Sequence, residues 1–154
     1  MDIRDNLTSE TVEQAYPTPP LAVHPQTTLR QALELMKAEN SSCLLVCHAG
    51  RLEGIFTERD ALRLMAAGAE LDRPLQSVMV PQPATVDCTA TVAQAMQKMT
   101  AGGYRRLPIV DQQHRPTGLV SVKGMIHYLC EHFPRVVYNQ PPVAHHITHE
   151  REGP

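Results

Sequence analysis

Thr28-Leu-Arg-Gln-Ala-Leu-Glu-Leu-Met36 and Thr91-Val-Ala-Gln-Ala-Met-Gln-Lys-Met99 are one phrase written twice, 63 positions apart. Gly54-Ile-Phe-Thr57 returns as Gly118-Leu-Val-Ser121, 64 positions on, so one residue has been inserted between the two matches. A period this long is a whole supersecondary unit, not a heptad or a short solenoid turn. Two such units in a small chain imply that neither buries its apolar face alone. They also imply a pseudo-two-fold cleft between the units, where a ligand could sit.

The length of 154 residues suits one compact domain made of two halves. Hydrophobic residues are 42% and charged residues 19%, the balance of an ordinary globular chain. Trp is absent and aromatics are 4%, so Leu, Val, Ile, Ala and Met must build the core. A net charge of −2 argues against a protein whose main task is gripping nucleic-acid phosphates or an anionic membrane. No apolar run approaches the roughly 20 residues that span a bilayer. Met1-Asp-Ile-Arg-Asp-Asn6 lacks the basic-then-apolar order of a secretory signal, so the expected location is the cytoplasm. Cys43, Cys47, Cys88 and Cys130 form no C-x-x-C pair and are expected to be structural thiols in a reducing compartment.

Residues 1–16 form a polar lead-in, with a short helix expected around Ser9–Tyr16, and Pro17, Pro19 and Pro20 then forbid helix. The first unit is expected at 17–70. Leu21–Val23 is extended, and Thr27 or Thr28 caps a helix whose apolar positions Leu29, Ala32, Leu33 and Met36 share one face. Strands follow at Cys43–Cys47 and Leu52–Phe56, then a helix over Glu58–Ala67 capped by Thr57 and stopped by Gly68. A connector at 71–80 holds a short turn or helix after Pro74. The second unit, at 81–134, repeats the order: Ala84–Val86 extended, helix Thr91–Ala101, strands Arg106–Val110 and Gly118–Val122, helix Lys123–His132. Each half is β-α-β-β-α, so the class is α/β or α+β. Residues 135–154 form a tail rich in Pro, His and charge. Met36, Met65, Met96, Met99 and Met125 fall at helical spacings and are expected in the core.

Chemistry concentrates in Gly54-Ile-Phe-Thr57-Glu-Arg-Asp60, which ends a strand and opens a helix. A helix N-terminus presents unsatisfied N–H groups and a partial positive charge, which favour phosphate. Thr57 adds a hydroxyl, Arg59 adds charge, and Asp60 can accept two hydrogen bonds from a vicinal diol. These are the parts of a nucleotide site.

The twice-repeated unit with G-h-x-[ST]-x-x-D at its last strand–helix junction resembles a tandem cystathionine-β-synthase (CBS) domain pair, or Bateman module, over about residues 17–134. The resemblance implies two repeats packed through their sheets with pseudo-two-fold symmetry. It implies clefts that take AMP, ADP or ATP, or in some members S-adenosylmethionine, and pairing of modules into homodimers. On that resemblance Asp60 holds the ribose hydroxyls, Thr57 contacts ribose or phosphate, Ile55 flanks the adenine, and Pro83 and Ala84 close the pocket. Tyr104-Arg105-Arg106-Leu-Pro108 matches the family's basic strand, which would set Arg105 or Arg106 against the phosphates. The second copy departs from the pattern, with Gly124 where the first has Asp60. One competent site per chain is therefore expected, and a second that is empty, weak or adapted to something else, with Ser121 and Lys123 giving some anion affinity.

The expected function is a non-enzymatic regulatory module that requires no cofactor, binds an adenine nucleotide, and signals to a separate partner protein or through a homodimer. Met125, Ile126, Tyr128, Leu129 and Phe133 are the expected dimer face of the second unit. The alternatives are an interaction scaffold of the same fold without nucleotide binding, or an S-adenosylmethionine sensor. His145, His146 and His149 have a spacing that suits a metal, but no H-E-x-x-H glutamate accompanies them and Pro141-Pro142 lies just upstream, so no metal site is expected. Neither a nucleophile–base pairing nor a carboxylate pair supports an enzyme.

Overall fold

The computed structural model describes residues 3–133. His145, His146 and His149, and the tail that carries them, lie outside the described residues. The fold is α+β, with two sheets and five α-helices among the described residues. In the first half, β1 (Ala22–Val23), α2 (Leu29–Ala38), β2 (Cys43–His48), β3 (Arg51–Thr57) and α3 (Glu58–Ala66) follow one another. The second half runs β5 (Val86–Asp87), α4 (Val92–Gly102), β6 (Arg106–Val110), β7 (Pro116–Ser121) and α5 (Val122–His132). Both helices of the opening phrase start with the same device. Thr28 and Thr91 each accept from the backbone N–H three residues on, while Gln31 and Gln94 accept from the threonine N–H. Gly103 ends α4 in the left-handed region at φ 69°, which a glycine enters without a Cβ penalty.

In each half a parallel pair and an antiparallel pair share the central strand: β1–β2–β3, and β5–β6–β7. That central strand is buried on both sides, which explains its unbroken apolar run. On β2, Leu44 and Val46 face the first half's helices with Leu29, Ala32, Met36 and Phe56. Cys43, Leu45 and Cys47 face the other way and pack with Leu52, Ile55, Val110 and Leu119 between the sheets. On β6, Leu107 and Ile109 enter the second half's core with Val92, Val120 and Tyr128. The turn at 111–115 closes the junction: Leu52 N–H donates to the His114 carbonyl at 3.0 Å.

Each half is completed by the chain that precedes the other half. After a 3₁₀ turn at Leu75–Ser77, β4 (Val80–Pro81) adds to β3, pairing Val80 with Ile55. Reciprocally, Thr18 pairs with Leu119 of β7 through hydrogen bonds of 3.0 and 2.9 Å. Upstream of these bridges, Leu75 N–H donates to Thr27 and is fully buried in the first core. Its counterpart Val12 donates to Ala90 and is fully buried in the second.

Three expectations need correction. The lead-in helix α1 spans Ile3–Ser9 rather than Ser9–Tyr16, because Thr11 bridges Thr91 and Val12–Gln14 makes only a 3₁₀ turn. Met65 is 41% exposed, since its side of α3 faces outward, whereas Met36, Met99 and Met125 are buried. Met125, Tyr128 and Phe133 cannot form a dimer face, because they pack in the second core, with Leu129 partly buried against them. Val122 and Ile126 are the large apolar residues that α5 leaves exposed.

Candidate functional site

A cleft of about 1050 Å³ opens where the two halves meet. Its walls come from five segments: Thr18–Leu21 ahead of β1, Glu39–Ser42 between α2 and β2, Arg105 and Arg106 at the start of β6, Leu119 and Ser121 on β7, and Val122, Lys123 and Ile126 on α5. Arg105, Arg106 and Lys123 supply three cations, and Glu39 is the single carboxylate of the lining. Among the described residues no ion pair involves any of the three. A chain of net charge −2 has thus gathered three unpaired cations in one concavity. Ser121 caps α5 by accepting from Gly124 N–H at 3.0 Å, so the positive end of that helix opens on the same space.

Of the residues expected to bind ligand, Arg105, Arg106, Ser121 and Lys123 come together in this cleft, whereas Ile55, Thr57, Arg59, Asp60, Pro83 and Ala84 do not line it. Ile55 lies between the sheets at 9% exposure. Thr57 and Asp60 form the cap of α3: Thr57 N–H and its hydroxyl both donate to Asp60 Oδ2 at 3.0 Å, and Asp60 N–H donates to Thr57 Oγ1 at 3.4 Å. The other carboxylate oxygen accepts from Arg63 at 3.0 Å. Asp60 is 6% exposed, while the Arg63 side chain is 69% exposed. Arg59 is exposed, and Pro83 and Ala84 are half-buried.

Cys43 ties the two sets together. It opens β2 as Arg106 opens β6, one repeat on, and it is 3% exposed. Burial pushes its thiol up from 9.0 to about 11, against the pull of the Arg106 guanidinium and with a lesser push from the Asp60 carboxylate. Because the folded value lies above the unfolded one, the thiol's contribution to stability is intact below pH 9 and is lost between pH 9 and about 11. In urea unfolding across that window, Cys43→Ala is expected to lose stability less steeply with pH than the wild type. Parallel slopes would contradict the assignment.

A second concavity, about 470 Å³, lies between α2 and α3. Leu33, Met36, Ala61, Leu62 and Met65 line it together with the polar Lys37, Asn40, Ser41 and Glu58, and Leu62 and Met65 are 72% and 41% exposed. Among the described residues no group of His, Cys, Asp or Glu is placed to hold a metal, and no helix is long and apolar enough to cross a membrane.

The CBS domain family profile matches this chain at residues 12–67 and again at 75–131. The chain belongs to the CBS domain family. The CBS domain-containing protein YhcV of Bacillus subtilis is 34% identical over 112 residues, covering 72% of this chain and 79% of that protein. The meiotically up-regulated gene 70 protein of Schizosaccharomyces pombe is 33% identical over 105 residues. These are 67% of this chain but 14% of the yeast protein. Among solved structures, the CBS domain protein NE2398 superposes at a TM-score of 0.68 with 28% identity, over 77% of this chain and 95% of its own. CBSX2 in complex with AMP gives a TM-score of 0.69 at 22% identity, over 80% and 98%. The CBS domain pair of MJ0100, in complex with 5′-methylthioadenosine and S-adenosylmethionine, gives 0.69 at 21%, over 76% and 97%. The last two likenesses are of fold.

Within this CBS pair the lining residues that motif reading misses are Thr18–Pro20 and Glu39–Ser42. A signal for Pro20 exists: it stands one repeat before Pro83, so an argument that lets Pro83 close a pocket applies to Pro20 as well. The segment 39–42 carries no comparable mark, being a break between α2 and β2.

Proposed function

We propose that this CBS pair is a non-enzymatic regulatory module. It binds an adenine nucleotide (AMP, ADP or ATP) between its repeats and passes occupancy to a partner protein or through a homodimer. The observation that carries this reading is the inter-repeat cleft with three unpaired cations in an acidic chain. Arg105 and Arg106 hold phosphate, a task that suits the planar guanidinium fork. Asp60 takes the ribose diol once Arg63 yields, beside Thr57, with Ile55, Arg59, Pro83 and Ala84 around the nucleoside. Free thiols at Cys43, Cys47, Cys88 and Cys130 support a cytoplasmic setting. Leu62 and Met65 on α3 and Val122 and Ile126 on α5 are the apolar residues available to a second copy. Signalling requires only that the ligand prefer one of two states of that assembly.

One observation favours a scaffold of the same fold instead: both Asp60 oxygens are already satisfied by α3 itself. Calorimetry with AMP, ADP, ATP and S-adenosylmethionine separates the readings. The wild type is expected to bind an adenine nucleotide. Asp60→Asn, which keeps an oxygen for the cap, is expected to weaken binding about 10–100-fold, the worth of a hydrogen bond to a charged group. No heat with any of the four favours the scaffold, and heat with S-adenosylmethionine alone makes the module a sensor of that compound.

A further inference from the structure

The two strand–helix junctions differ by more than one lost carboxylate. Asp60 and Gly124 occupy the same helical position, each donating its N–H to the cap hydroxyl three residues back. At the first junction the Asp60 carboxylate is accommodated, 6% exposed and held by Thr57 and Arg63. A Cβ at Gly124 would lie 2.9 Å from the Ala15 carbonyl oxygen and 3.1 Å from that of Tyr16. The obstacle is backbone, so it does not swing away as a side chain would. It is also held in place. Ala15 is fully buried, and Tyr16, in the left-handed region at φ 53°, sets its ring edge-on to His127 at 4.4 Å and donates its hydroxyl to Glu131. The lead-in thus fills the position from which a ribose diol would be read.

The anion-binding half of the same cleft is strengthened rather than lost. Arg105 and Arg106 stand where the first repeat has Ser42 and Cys43, and Lys123 stands where it has Arg59. All three line the cleft, with Glu39 the one opposing charge. The Ser121 oxygen accepts from Gly124 N–H, which leaves its own O–H to donate.

We propose that the second junction, bounded by Arg105, Arg106, Ser121 and Lys123, grips an oligophosphate chain and itself supplies no acceptor for a sugar diol. The same chemistry is offered by free tripolyphosphate and by the triphosphate arm of a nucleotide. This inference rests on the reading of the inter-repeat cleft as an anion site, and it reassigns the second junction from a defective nucleotide pocket to a different specificity. Calorimetry of the full chain with sodium tripolyphosphate, ATP and adenosine tests it. Tripolyphosphate is expected to bind, and adenosine not to compete with it. Arg105→Ala combined with Lys123→Ala is expected to weaken tripolyphosphate at least about tenfold, as the loss of charge-assisted contacts requires. The thermal midpoint of that variant should not move, because both side chains are exposed. ATP binding without tripolyphosphate binding would overturn this inference and leave the nucleotide reading standing. Tripolyphosphate binding that the double variant does not weaken would also overturn it. Tripolyphosphate binding without any nucleotide binding would support it and overturn the nucleotide reading, and silence of every anion would overturn both.

Discussion

Phe56→Ala is expected to lower the stability of the chain by about 3–5 kcal/mol. Phe56 is fully buried on β3, opposite Leu44 of β2, and it packs with Leu29 and Val46 in the first core. The chain has two Phe and no Trp, so the surrounding Leu, Val and Met side chains are the only material that can close the hole. Leu44 and Val46 sit on β2, a strand buried on both faces, and Leu29 and Met36 sit on the α2 helix packed over it, which limits relaxation. Domains are stable by only about 5–15 kcal/mol, so the variant keeps little margin. Differential scanning calorimetry should show the midpoint fall by about 10–15 °C. A loss below about 1 kcal/mol would mean that the first core is not packed as described.

Val12→Asp is expected to cost at least about 4 kcal/mol, the range reserved for unpaired buried charge. Val12 opens the stretch matched as the first repeat, yet it is fully buried in the core of the second, in one cluster with Val92 and Val120. Its neighbourhood is held by Val12 N–H donating to Ala90 and Val92 N–H donating to Glu10. Tyr128 donates its hydroxyl to Glu10 as well, and burial together with that bond pushes its pKa above the ordinary phenol value. The location of the damage is diagnostic. Hydrogen exchange should accelerate first in α4 and β6, far along the chain from the substitution, while α2 and β2 keep their protection. Damage confined to the residues around position 12, or centred on the first repeat, would refute the cross-chain packing.

The doubled phrase was sufficient to read the architecture. The spacing of Leu29, Ala32 and Met36, with a threonine ahead and a glutamine three residues after it, encodes α2 and its cap locally, and the same holds for α4. β2 and β6 were legible because a strand buried on both faces must be apolar throughout. The pairings of Val80 with Ile55 and of Thr18 with Leu119 were not legible, since two residues carry no period. Thr11-Val12 and Pro74-Leu75 do the same work without sharing a residue, so the repeat could not be seen to extend that far. At the site, Arg105 and Arg106 were legible through their match to the family's basic strand, and the structure places both in the cleft. Arg63 was readable as a helical neighbour of Asp60 three positions on, and reading Asp60 only toward a ligand hid it. The packing of residues 15–16 on Gly124 had no local signal at all, because it joins segments more than a hundred positions apart.

The reciprocal completion of the halves has a consequence for how such a chain could arise. Suppose a gene encoded one repeat and the stretch ahead of it. That stretch would find no place on its own sheet and would complete the sheet of another copy, while receiving the same service in return. The product is a domain-swapped dimer whose two-fold axis runs where the cleft now lies. Tandem duplication followed by fusion converts that intermolecular exchange into an intramolecular one and frees each side to diverge, as Asp60 and Gly124 have done. Cutting the chain at Gly68 should accordingly release two fragments that associate with each other and are poorly folded apart.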